Sequence, residues 1–244
     1  MPAPGPVAGL YEQPGSFTGW HLSGELGIIL IMIDRKNARL LTAAALLIFL
    51  STVAVLLGRQ FSMGRTLPVP PFRAFGPENA PVQIYEYTDF ACPACRHAAG
   101  KVDEMLKVFG PGLRVSFKHY PLTGIHPWSL QAALYADCAG EQGRFKEYGD
   151  LLFAGQEKWA LAKEMPPEFE QYARQLKLDW PKMQACAASP ETMRRVKLDM
   201  SEGDLKGVNA TPTFFINGRR AVGAGQLLDQ AMKFDNILRS AARP

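Results

Sequence analysis

The chain has 244 residues, 47% of them hydrophobic and 20% charged, with a formal net charge of +4. That length holds one folded domain, at most two, and so average a composition excludes a disordered chain, a collagen-like chain and a polytopic membrane protein. Four cysteines are too few for a disulfide-dense scaffold, and the lack of any run of five like charges argues against a nucleic-acid partner.

Residues 1–31 are rich in Pro and Gly and end in a short apolar run, Gly27 to Ile33. From Met32 the sequence reads MIDRKNAR followed by an apolar stretch, the usual layout of an export signal, so Met32 is the expected physiological start. Leu40 to Leu57 is free of charge, Pro and Gly. As a helix it would span about 27 Å, close to the hydrocarbon thickness of a bilayer. Arg35, Lys36 and Arg39 precede it and favour an inside N-terminus, against a weaker opposing vote from Arg59 and Arg65. A clean small-x-small cleavage site does not follow, so a retained single-pass anchor is expected rather than a cleaved signal. The domain plan is therefore an N-terminal segment over 1–38, an anchor over 39–58, a linker over 59–71 and a folded domain over 72–244.

Gly58 to Pro71 reads as a tether, polar and then Pro-rich. The turn-like GPENAP introduces a strand at Val82–Tyr87, VQIYEY, and Pro93 to Phe109 has helical periodicity. Leu113–Tyr120 is a second strand. Pro127 to about Gly207 is mostly helical, with breaks near Gly155, Pro166–Pro167 and Pro181. TFFI at Thr213–Ile216 and Arg220–Val222 flank an Asn217-Gly218 hairpin turn, and Gln226 to Ala242 closes the chain as a helix. The order is βαβ, a helical block, then ββα.

The chemistry sits at Cys92-Pro93-Ala94-Cys95, where strand meets helix. A helix N-terminus offers unpaired N–H groups and partial positive charge, which stabilise a thiolate. Cys92, the more exposed position, is expected to be the nucleophile, and Cys95, inside the first turn, to resolve the mixed disulfide. A zinc site would need further ligands, yet Cys138 and Cys186 stand alone; a c-type haem would need His directly after the second Cys, where Arg96 stands. No metal and no cofactor are expected. A purely structural short-loop disulfide is the plainer alternative. Glu86 lies six residues before Cys92. Strand alternation puts it beside Val82 and Ile84, where a buried carboxylate could take or give the proton of Cys95; an ordinary Glu facing water is equally compatible. Thr211-Pro212 precedes the TFFI strand, and by itself reads as a trans proline at a strand start.

Taken together, GPENAPVQIYEYTDFACPAC, FKHYPL with HPWSLQAALYADCAGEQGRF, and GVNATPTFFINGR resemble the DsbA-like thiol:disulfide oxidoreductases of the thioredoxin-fold superfamily, over about Phe72 to Ala242. The resemblance implies an α/β thioredoxin-like domain with a helical insertion at about 123–207, here behind one N-terminal transmembrane helix. It implies that Glu86 is the family's buried acid, and that Thr211 and Pro212 form the cis-proline loop that faces the disulfide and pairs with substrate backbone. It also implies a structural disulfide between Cys138 and Cys186, against the alternative of two buried free thiols. The dipeptide Pro93-Ala94 departs from the Pro-His of the strongest oxidant, removing one stabiliser of the Cys92 thiolate. His126 is expected to start a helix, and Lys118 and His119 to be structural.

The expected function is a membrane-tethered, extracytoplasmic thiol–disulfide oxidoreductase that introduces disulfides into exported cysteine-containing proteins. By resemblance, a quinone-linked membrane oxidase would recycle it. The competing functions are a reductase or isomerase on the same fold, and a non-catalytic thioredoxin-fold adaptor or chaperone.

Overall fold

The computed structural model describes residues 35–64, 66–234 and 237–238, so the expectations for residues 1–31, for a start at Met32 and for the last turns of the closing helix lie outside the described residues. The chain divides into two units, Met1–Arg59 and Gln60–Pro244. In the first, helix α1 (Arg35–Gly64) contains a 20-residue stretch, Asn37–Leu56, of mean hydropathy 2.2, none of it buried against protein. That stretch is long and apolar enough to cross a membrane. The helix runs six residues beyond Gly58, so the expected tether starts helical. Gly58 alone does not stop a helix, whereas Pro68, Pro70 and Pro71 exclude one.

The second unit is built on a five-stranded sheet of order β1-β3-β2-β4-β5. Strand β2 (Val82–Thr88) is central and runs parallel to β3 (Leu113–His119), joined by helix α2 (Pro93–Phe109). The β4 (Thr213–Ile216) and β5 (Arg219–Val222) hairpin adds antiparallel to β2, turning at Asn217 and Gly218, both at positive φ. Helix α9 (Gly223–Ala231) packs back on α2. Between β3 and β4 the chain inserts six helices: α3 (Ser129–Glu141), α4 (Phe145–Ala154), α5 (Gln156–Trp159), α6 (Glu168–Gln175), α7 (Trp180–Ala187) and α8 (Pro190–Leu205). Trp159, Tyr148, Phe169 and Met183 fill the core of this insertion. A disulfide joins Cys138 in α3 to Cys186 in α7.

Two features escape the periodicity. Ala74–Phe75 forms an edge strand, β1, antiparallel to β3, too short to produce an alternating pattern. Just before it, the fully buried Arg73 reaches Asp137 and Asp199. Lys118, also fully buried, extends the cluster: its Nζ meets Asp199 at 3.2 Å and Glu202 at 2.7 Å and donates to the Leu67 carbonyl at 2.8 Å. His119 Nε2 meets Asp137 at 2.9 Å. Burial, with the neighbouring Arg73 guanidinium, pushes the His119 pKa down. This network ties the end of the linker and β3 to α3 and α8.

Candidate active site

Helix α2 starts with Pro93 at its first position and Cys92 as an extended cap residue (φ −82°, ψ 121°). This is the helix end where N–H groups lack intrahelical partners. The register Tyr87↔Thr213 places the Thr211-Pro212 loop opposite the end of β2. The Thr211–Pro212 bond is cis, and the Cys92 sulfur lies 3.4 Å from the Thr211 carbonyl oxygen. Cys92 keeps 8% of its surface open; Cys95 keeps none. The Cys95 sulfur accepts from the Asp89 N–H at 3.4 Å.

These surroundings drive the two thiols apart. The Cys95 thiol donates to the Cys92 sulfur and, against the cost of burial, pulls the Cys92 pKa down to about 5. The neighbouring Thr211 adds to this, as do the N–H groups of Cys95 and Ala94. Burial first, and then the neighbouring Cys92, push the Cys95 thiol well above its usual range. One sulfur is thus a stable thiolate at neutral pH and the other a held proton.

Glu86 lies on the same face of β2 as Val82 and Ile84, fully buried, with neither carboxyl oxygen hydrogen-bonded. Burial raises its pKa to about 8; Thr88 and Lys146 oppose this, and Asp103 adds to it. Glu86 is therefore protonated at neutral pH.

Asp89 was not foreseen, and it organises the loop. Its Oδ1 accepts from the Ala91 N–H at 2.8 Å; its Oδ2 accepts from the Leu122 N–H at 2.9 Å and meets His126 Nδ1 at 2.7 Å. The legible signal was an Asp two residues ahead of the N–H it bonds, the Asx-turn pattern. Gln156 Nε2 donates to the Phe90 carbonyl at 2.7 Å and fastens the helical insertion to the same loop. Beside Pro93 opens a cleft of about 410 Å³, lined by Ala91, Pro93, Ile125, His126, Ala160 and Leu161. Ile125 and Leu161 expose 67% and 75% of their surfaces on its rim. His126 thus contacts the cysteine loop, three residues ahead of Ser129, where α3 begins, and does not itself start the helix. Cys138 and Cys186 lie apart in the insertion, joined to each other. Among the described residues, no group of three or more His, Cys, Asp and Glu is placed to hold a metal ion.

Sequence comparison matches the family model described as "Thioredoxin" to residues 70–235. Among solved structures, Pseudomonas aeruginosa DsbA2 is 25% identical, with a TM-score of 0.57 over 70% of this chain and 96% of its own. Wolbachia pipientis alpha-DsbA1 is 22% identical, with a TM-score of 0.63 over 74% of this chain and 97% of its own. Among curated sequences, a Na(+)/H(+) antiporter of Salinispora tropica is 40% identical over 159 residues, which are 64% of this chain and 24% of the antiporter. The chain thus matches about a quarter of the length of that relative.

Proposed function

This chain belongs to the thioredoxin family, with the DsbA-like thiol–disulfide oxidoreductases as its structural relatives, and from that premise we propose that it oxidises cysteine pairs in exported proteins while tethered to a membrane by α1. The observation that carries this reading is the opposed pair at the start of α2: a stabilised Cys92 thiolate beside a protonated, buried Cys95. A dithiol poised this way favours its reduced form, which makes its disulfide an oxidant. A client thiolate attacks the Cys92 sulfur of the Cys92–Cys95 disulfide, the more accessible of the two, and Cys95 leaves as a thiolate. Glu86 then supplies the proton that Cys95 takes up. The client's second thiolate attacks its own sulfur in the mixed disulfide, and Cys92 departs as the better leaving group.

Thr211 and Pro212 would bind client backbone beside Cys92, and Pro93 and Ala94 set the intervening turn. The Cys138–Cys186 bridge would be structural and suits an oxidising compartment. A quinone-linked membrane oxidase is the proposed acceptor of the electrons. The sodium–proton exchange named for the antiporter relative is not carried over, since the matched segment is a quarter of that protein.

One observation favours a second reading. Ala94 offers the Cys92 thiolate neither charge nor side-chain hydrogen bond, which would place the pair nearer the reductases. Trapping tests the main reading. Full chain carrying Cys95→Ala should accumulate mixed disulfides with exported proteins, and Cys92→Ala should accumulate none. Equal trapping by both variants, or by neither, would remove the role assignment.

A further inference from the structure

The cleft of about 410 Å³ beside the cysteine pair is of the size that holds a side chain or a small ligand, and the thiol exchange described above does not use it. Ala91 and Pro93, the chain neighbours of Cys92, both line it, so its occupant borders the reacting residue. Much of its wall is apolar: Ile125 in the loop after β3, and Ala160 and Leu161 just beyond α5. Ile125 and Leu161 are large apolar side chains left mostly in water at the rim.

One polar group is built into this wall. Nδ1 of His126 meets Oδ2 of the fully buried Asp89 side chain at 2.7 Å. Asp89 also accepts from the Ala91 and Leu122 N–H groups, so it faces His126 as an acceptor, and Nδ1 carries the ring proton. In the neutral ring Nε2 is then an acceptor. Nε2 has no partner among the described residues and, unlike Nδ1 of His119, it is not sealed from solvent. Because the ring forms part of the cleft wall, that acceptor opens on the cleft. The other polar lining residues are engaged. Gln156 Nε2 donates to the Phe90 carbonyl at 2.7 Å, and Glu157 is paired with Arg96 at 2.9 Å.

We propose that this cleft is a client subsite for an aromatic side chain with a donor at its tip, Tyr or Trp, near the client's reacting cysteine, and that His126 determines this specificity. The inference rests on the oxidoreductase reading and names a substrate class for that same site. The aromatic body covers Ile125, Ala160 and Leu161, and the phenol O–H or indole N–H donates to His126 Nε2. Tyr and Trp have the same division of apolar body and polar tip that the cleft has. A wholly apolar client residue would take water from Nε2 and leave it unpaired, which is costly. A Lys or Arg would bring a charge against apolar walls, and the lining carboxylate of Glu157 already has Arg96. Asp89 sets the polarity of the subsite. It holds the proton on Nδ1, which keeps Nε2 an acceptor, and its bond to the Ala91 N–H ties the subsite to the cysteine loop.

The test is oxidation of fluorescent dithiol peptides by full chain in detergent at pH 8, where an ordinary imidazole is neutral. Tyr, Phe and Ala are placed in turn at the positions flanking the first cysteine, and kcat/KM is read for each peptide. At one of these positions the wild-type chain should prefer Tyr to Phe by about threefold to tenfold, as one net hydrogen bond gives, and Phe to Ala by about tenfold. His126→Asn keeps a donor for Asp89 and removes the acceptor at Nε2. It should make Tyr and Phe peptides equal while Phe stays ahead of Ala. Each ratio is taken within one variant, so a disturbed loop that slows every peptide alike does not move it. Leu161→Ser should shrink the Phe-to-Ala ratio by about threefold and leave Tyr ahead of Phe. Equal rates with Tyr and Phe at every position in the wild-type chain, or a wild-type Tyr-to-Phe ratio in the Asn variant, would overturn the subsite. The first of these holds even if neither variant folds. Wild-type turnover that did not depend on Cys92 would instead sink the oxidoreductase reading.

Discussion

Cys92 and Cys95 form one electrostatic unit, in which hydrogen bonding favours the Cys92 thiolate and burial holds the proton on Cys95. The Cys92 thiolate owes its low pKa first to Cys95, so thiolate absorbance on acid titration of the reduced protein should show a transition near pH 5. Ala94→His would add a donor and positive charge at the same helix end. It should lower that transition and raise the reduction potential by about 30 mV for each tenfold gain in the reduced form. A potential that stayed fixed or fell would show that residue 94 does not face the thiolate. Glu86 allows a sign to be worked out. Its folded pKa of about 8 lies above its ordinary value of 4.5, so the folded state holds a proton that the unfolded state has lost between those pH values. Its contribution is fully present below pH 4.5 and is lost as the pH rises to 8, at roughly 1.4 kcal/mol per pH unit. In the oxidised protein, where neither cysteine titrates, Glu86→Gln should therefore raise Tm strongly at pH 8.5 and hardly at pH 4.5. An equal gain at both pH values would contradict the buried, protonated acid. At this scale, the place of the two cysteines was legible in the motif spacing, whereas strand parity left Glu86 open and only the resemblance pointed to its burial. Asp89 and the role of His126 were not, because their partners come from loops whose return path no local pattern states.

The elements divide in the same way. VQIYEY, TFFI and the Asn217-Gly218 turn announce themselves by alternation and turn chemistry, and the structure has strands there. Strand β1 does not, since two residues carry no period; its place is set by Arg73, held in a buried cluster with partners 64 and 126 residues away. Removing one partner of such a cluster leaves uncompensated buried charge. Arg73→Met should destabilise the domain by about 3–5 kcal/mol, read by denaturant melts. A loss under about 1 kcal/mol would show that Asp137 and Asp199 are satisfied without it. Within the insertion, the Cys138–Cys186 bridge links α3 to α7 with a sequence separation of 48. Closing a loop of that length in the unfolded chain contributes about 4 kcal/mol in the chain-entropy model, on the order of 10 °C in Tm for a domain of this size. A double Cys138→Ala, Cys186→Ala variant should melt lower by that order while keeping Cys92 reactive. Unchanged melting would argue that the bridge has no structural role.

For the molecule as a whole, the membrane-length helix and the thioredoxin-like unit are separate bodies, and their joint meaning rests on location. If α1 is a retained anchor with an inside N-terminus, the full chain should resist alkaline extraction from membranes. Cys92 should then react in intact cells with a membrane-impermeant thiol reagent after mild reduction. A soluble chain, or labelling seen only after lysis, would contradict the extracytoplasmic placement. The direction of electron flow is the central claim. Its most direct test is the equilibrium of the Cys92–Cys95 pair with glutathione redox buffers, read by alkylation of the free thiols. A lowered Cys92 pKa without a histidine at position 94 places the expected potential between about −120 mV, typical of strong oxidants, and about −270 mV, typical of reductases. A value inside that interval supports net oxidation of clients; a value at or below about −270 mV would contradict it and make the protein a reductase.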